Sequence, residues 1–254
     1  MATLTIQNAS GQSTSITPNA SNTGTLTLPT GTATILATPL PSGTATVAPL
    51  TLTTGTNLTT PAAGSLEYNG YSPYFTPTGT QRGVMQAAQY YALNTAYTGT
   101  QATTAQSIFG LTNGVTLTSS TIYEFEMAIA LSKSAGTTSH NFSMGFGGTA
   151  TLNSIGYWFI YDGLTTNYNT GQATNQWFMS SASAATITSG ITGAAFYAWG
   201  VVKGIVSVNA GGTFNPQYTL SAAPGGAYTT AVGSYIKISS LAASGSNVSI
   251  GAWS

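Results

Sequence analysis

Charge is what this sequence lacks most. Only 3% of its 254 residues are Asp, Glu, Lys or Arg, against about 25% in an average soluble domain. They can all be named: Lys133, Lys203, Lys237 and Arg82 against Glu67, Glu124, Glu126 and Asp162. So few cations cannot neutralise a run of phosphates, which excludes electrostatically driven nucleic-acid binding. Nor can they build the polybasic patch that holds a protein on anionic lipid. Cysteine is absent, which excludes disulfides, thiolate metal sites and a thiol nucleophile. Long apolar runs are missing too. The most apolar stretch, Ile191 to Val202, ends at Lys203 and falls short of the roughly 20 residues a membrane-spanning helix needs. The opening Met1-Ala-Thr-Leu-Thr-Ile-Gln-Asn has neither the basic region nor the apolar stretch of a signal peptide.

The formal net charge is zero. Soluble monomers usually carry dispersed charge and a net charge away from zero, because both oppose association. This chain has to stay in solution on hydroxyls and amides. That predicts a surface largely committed to neighbours; the competing expectation is a secreted, neutral β-protein that tolerates low charge.

What is present is threonine, 46 residues of it. The first 60 residues hold no charge and no Phe, Tyr or Trp. Within them Leu28-Pro-Thr-Gly-Thr-Ala-Thr-Ile35 recurs as Leu40-Pro-Ser-Gly-Thr-Ala-Thr-Val47, with a weaker echo in Leu52-Thr-Thr-Gly-Thr56. Each copy reads as a Pro/Gly turn followed by a short Thr/apolar strand. Such a segment buries too little apolar area to offset its own ordering entropy. Residues 1–60 are therefore expected to form an extended arm ordered by other chains, or by the rest of its own chain.

Residues 61–84 read as a small β-hairpin module, with Asn69-Gly70 between Leu66-Glu67-Tyr68 and Tyr74-Phe75-Thr76. Gln89 to Leu93 fits a strand or the end of a short helix. From Val115 onward the pattern is strongly β. In Tyr123 to Leu131 the odd positions are Tyr, Phe, Met, Ile and Leu, while Glu124 and Glu126 fall on the even ones. Phe142, Met144 and Phe146 repeat the alternation, and Ile155 to Tyr161 is bulky on both faces. Further strands are expected at 176–179, 196–208, 214–220, 235–238 and 248–252. The reading is all-β: a jelly-roll-like β-sandwich over residues 85–254, preceded by the hairpin module and the arm.

Ala63-Gly-Ser-Leu-Glu-Tyr-Asn-Gly70, Tyr74-Phe-Thr-Pro77 and Arg82 resemble a short β-module found in tailed-phage fibre and head-decoration proteins. Tyr123-Glu-Phe-Glu-Met-Ala128, Gly136-Thr-Thr-Ser-His140, Phe146-Gly-Gly-Thr-Ala150, Lys203-Gly-Ile-Val206 and Asn209 to Gly226 resemble the trimeric β-sandwich domain that follows it in marine and cyanobacterial phages. The resemblance implies a non-enzymatic virion protein without cofactors, a homotrimer on the outer surface of the particle. It further implies contacts of residues 1–60 with the major capsid protein or other virion proteins, as in capsid decoration or head fibres. A receptor-binding tail fibre or carbohydrate-binding module, contacting a host surface glycan, is the alternative.

Catalytic and metal-binding constellations are sparse. His140 and Asp162 lack a Gly-x-Ser-x-Gly elbow to complete a triad, so His140 is expected at a surface or interface. Glu124 and Glu126 lie about 6.5–7 Å apart along a strand, which invites an inverting glycosidase. Pairing with Lys203 and Lys237 across the sheet is the structural expectation. Asp162 to Asn169 offers oxygen ligands but a single carboxylate, too few for a good Ca²⁺ site, so no metal site is expected. Tyr157, Trp158, Tyr161, Tyr168, Trp177, Tyr197 and Trp199 are candidates for a sugar-stacking platform; core and subunit interface, where Tyr and Trp are also enriched, is the plainer expectation for them.

Overall fold

A computed structural model describes residues 4–7, 13–16, 42–164, 174–180, 184–251 and 253. The chain divides into two units, residues 1–51 and 52–254. In the first, β1 (Leu4–Gln7) and β2 (Ser13–Ile16) pair as an antiparallel hairpin, which the sequence reading did not single out. Residues 42–60 contain no strand, and all except Asn57 are exposed. The described parts of the second and third repeat copies are thus not the strands expected of them. Thr/apolar alternation makes a strand only where a partner can complete the ladder and a face can be buried. The first copy, residues 28–35, lies outside the described residues.

The second unit begins with a three-stranded sheet of β3 (Leu66–Tyr68), β4 (Pro73–Phe75) and β5 (Gly83–Val84). The expected hairpin turn is there. Asn69 Oδ1 accepts from the backbone N–H of Tyr71 at 3.1 Å and of Ser72 at 3.3 Å, and Gly70 takes φ +90°, a conformation that suits glycine. Glu67 and Arg82 pair at 2.8 Å. Together they clasp the chain at Leu58: its N–H donates to Glu67 Oε1 at 2.6 Å, and its carbonyl accepts from Arg82 Nη2 at 2.5 Å.

The remaining strands build the sandwich. In chain order they are β6 (Gln89–Ala92), β7 (Tyr97–Thr98), β8 (Gln106–Ser107), β9 (Val115–Leu117) and β10 (Thr121–Lys133). Then follow β11 (His140–Gly147), β12 (Thr151–Leu164), β13 (Thr174–Ser180), β14 (Ala184–Ile191) and β15 (Phe196–Ala210). The last are β16 (Gly212–Leu220), β17 (Thr229–Thr230) and β18 (Tyr235–Ala243). An eight-stranded sheet runs β13-β12-β15-β10, with β18 then β6 beside one stretch of β10 and β17 then β7 beside the other. The facing five-stranded sheet runs β14-β11-β16, with β8 and β9 both on β16. From β10 to β16 successive strands pass from one sheet to the other; the β12–β13 hairpin alone stays within its sheet. Residues 85–88 hold no helix, and residues 248–251 form no strand.

The alternation in β10 is as read. Tyr123, Phe125, Met127, Ile129 and Leu131 are buried between the sheets. Across from them Phe146 stacks on Phe214 at 4.9 Å and meets Phe125 edge-on at 5.0 Å. The central strand β15 inverts the usual arrangement. Its core side carries small residues, Ala198, Gly200, Val202, Gly204 and Val206, while Trp199, Val201, Lys203 and Ile205 face outward. A Cβ at Gly204 would lie 2.7 Å from the Phe125 ring. The rings of neighbouring strands therefore fill the core over β15, and the bulk of β15 itself is turned out of the sandwich.

Candidate functional site on the outer face of the large sheet

Register brings five residues into one transverse row. Tyr90 on β6 is opposite Lys237 on β18, which is opposite Glu126 on β10. Glu126 is opposite Lys203 on β15, which is opposite Trp158 on β12. At about 4.8 Å per strand, the row spans about 19 Å. Glu126 binds Lys203 at 3.0 Å and Lys237 at 3.3 Å, and accepts the Tyr235 hydroxyl at 2.7 Å. In the next row Glu124 accepts from the Gln86 amide and, at 3.3 Å, from Ser239 Oγ. Segment 86–88 and Tyr90 wall one side of the depression above these rows. Trp158 stands at the other, with Gly156 beside it on β12 and Ile205 next to that on β15. Its volume is about 1280 Å³. Four of the eight charged residues of the whole sequence meet here.

The Tyr235 hydroxyl and the Lys203 ammonium, with Lys237 behind them, hold the Glu126 carboxyl down to about 2, against the cost of its partial burial. A carboxyl so held stays ionised near neutrality and has no proton to give a leaving group. The cross-sheet pairing expected of these carboxylates is found for Glu126. Glu124 is held by an amide and a hydroxyl instead. The two side chains point the same way from one strand rather than across a cleft.

The candidate aromatics separate by strand parity. Trp158 and Trp199 stand on the outer face, 36% and 48% exposed. Tyr157 and Tyr161 are buried in the core, which removes them from any surface platform. Tyr197 lies half-buried beside Ser132. Trp177 lies on β13, but its side chain, like Tyr168, falls outside the described residues. Tyr90 and Tyr235 belong to the site although the sequence did not single them out; only the register of β6 on β18 reveals them.

His140 corrects another expectation, since it is buried rather than at the surface. Its Nδ1 lies 2.8 Å from the Thr138 carbonyl and its Nε2 2.7 Å from the Tyr228 hydroxyl. Nδ1 therefore donates to the carbonyl, and the ring bridges β11 to the chain before β17. Asp162 sits on the outer face opposite Trp199, and its Oδ1 has no hydrogen-bond donor among the described residues. Among those residues no three His, Cys, Asp or Glu come together as a metal site would require.

Lys133 is the residue the sequence reading passed over. It has core parity in β10 and is 1% exposed. Its three N–H donors are shared among the carbonyls of Ala135 at 3.0 Å, Gly136 at 2.8 Å, Gly193 at 2.6 Å and Ala194 at 3.1 Å. Burial pushes its pKa down, and four carbonyls bonded to the charged form oppose that push. The lysine ties the loop after β10 to the loop before β15.

No family model, no curated protein and no solved structure matches this chain. The fold and the geometry above define it as an all-β protein with two antiparallel sheets packed face to face.

Proposed function

We propose that the chain is a non-enzymatic structural protein of a phage virion, a homotrimer on the outer surface of the particle that attaches through residues 1–60 as capsid decoration or head fibre. The observation that carries this reading is the segment 42–60. It has no strand, and its apolar side chains Val47, Leu50, Leu52 and Leu58 are 37–63% exposed. A Thr-rich segment with uncovered apolar side chains and no charge suits strand addition to the sheet edges of another protein. Backbone hydrogen bonds supply affinity in that mode, and three arms multiply it. The near-absence of charge and the sequence resemblance support the same reading.

The test is rebinding to particles stripped of the protein. The full chain should rebind and remain bound in 1 M NaCl, where the Debye length falls to about 3 Å; a chain lacking residues 1–60 should not rebind. Equal binding by the shortened chain would overturn the reading. The exposed Trp158 and Trp199 favour a second reading, a receptor-binding tail fibre. Copy number separates them: many copies per particle for decoration, a handful for a tail fibre.

A further inference from the structure

We propose that the transverse groove on the large sheet binds a neutral oligosaccharide, laid across the strands between Tyr90 and Trp158. The groove concentrates half of the chain's charge, yet that charge cancels: its lining holds two carboxylates, Glu124 and Glu126, and two ammoniums, Lys203 and Lys237. Neither an anionic nor a cationic ligand finds a net field there. What remains is hydrogen-bonding capacity. The Lys203 and Lys237 side chains are 49% and 36% exposed, so protons of both ammoniums remain open to ligand hydroxyls beyond their bond to Glu126.

The two ends are aromatic. Tyr90 is 65% and Trp158 36% exposed, and rings with a polar tip suit half-wet stacking surfaces. Beside Trp158 on β12 the surface is open at Gly156, where a Cβ would meet nothing within 4 Å. The span of about 19 Å, set by four strand spacings, suits an extended chain of sugar rings rather than a single ring. A protein partner fits less well, because Lys and Glu are depleted from the cores of protein interfaces, and here they are the centre of the row. The ion pairs also fix the floor in advance, which lowers the ordering cost of binding.

The experiment uses the full chain with three neutral probes, maltohexaose, cellohexaose and chitohexaose, followed by tryptophan fluorescence and calorimetry. At least one should bind with a dissociation constant of about 1 mM or tighter, with less than a twofold change between 50 and 500 mM NaCl. Trp158→Ala should weaken it at least tenfold and Tyr90→Ala severalfold, while Trp199→Ala, outside the groove, should leave it within twofold. Should Trp158→Ala lower the melting temperature, the Tyr90→Ala result decides, since that side chain lies on an exposed edge strand. The proposal falls if none of the three binds, or if binding is unaltered by both groove variants. It also falls if hexagalacturonate or a chitosan hexamer binds more tightly than every neutral probe. Dissociation of an oligomer by Trp158→Ala would identify the groove as a subunit contact and overturn it as well. The attachment reading rests on residues 1–60 and this one on residues 86–239, so either can fail alone.

Discussion

Replacing Lys133 by methionine tests whether a buried, carbonyl-bound ammonium holds one end of the sandwich together. Methionine keeps the length and the apolar stem and deletes only the charge and its donors. Three N–H donors shared among four carbonyls at 2.6–3.1 Å are lost, and hydrogen bonds to a charged group contribute about 1.5–3 kcal/mol each. Against this, the variant no longer buries an ion, a relief of several kcal/mol. Ala135, Gly193 and Ala194 are themselves exposed, so water can reach part of the carbonyl shell. The balance is a net loss of about 2–4 kcal/mol, a fall in melting temperature on the order of 10 °C for a chain of this size. Calorimetry or urea unfolding reads it directly. Lys133→Arg keeps the charge, but its planar fork cannot converge on oxygens from two loops, so it should fall between parent and methionine variant. A Lys133→Met protein as stable as the parent, or more so, would refute the reasoning, since apolar replacement of buried ions is often neutral or stabilising.

Two further predictions concern titration and the core. The folded pKa of Glu126, about 2, lies below its ordinary 4.5, so its ionised form stabilises the fold fully above pH 4.5. That contribution is lost as pH falls from 4.5 towards 2. Because both lysines are partly exposed, about 1–2 kcal/mol is expected after screening. Glu126→Gln should flatten the melting-temperature profile over that window, and an unchanged slope would count against the assignment. His140→Phe leaves the Thr138 carbonyl and the Tyr228 hydroxyl without their partner, at a cost of about 2–3 kcal/mol. The combination with Tyr228→Phe should cost less than the two changes summed; full additivity would mean that the two residues act separately.

Strand parity was legible wherever an alternating pattern met a buried face. Tyr123 to Leu131 announces both the inward face of β10 and the outward position of Glu126. Continued two residues further, the same parity places Lys133 inside, although a lysine there reads at first as a polar strand end. Ile155 to Tyr161, bulky on both faces, read as a central strand or one covered by a neighbour, and β12 is central, between β13 and β15. In the structure its even positions, Gly156 and Trp158, are exposed, because bulk on a strand reports what that face will meet and not only what its own chain supplies. The pairing of Glu126 with Lys203 and Lys237 was expected, but that Tyr90 and Trp158 close the ends of the same row was not legible, since local pattern carries no register between distant strands. His140 was missed for the same reason: its partner Tyr228 lies 88 positions downstream.

The clasp at Leu58 has a mechanical meaning. Tension arriving along the chain from residues before 58 meets a point where N–H and C=O are both gripped by the Glu67–Arg82 pair. From there it passes into the three-stranded sheet, whose Ser72 hydroxyl bonds Ser240 at 2.9 Å and whose Tyr74 hydroxyl bonds the Leu241 carbonyl at 3.2 Å. Both anchors lie on β18 beyond its pairing with β6, on the stretch whose ladder runs along β10. A pull on the leading segment is therefore delivered to the β10–β18 ladder, which runs from Tyr235 to Ala243. The small module acts as a strain relief between the leading segment and the sandwich.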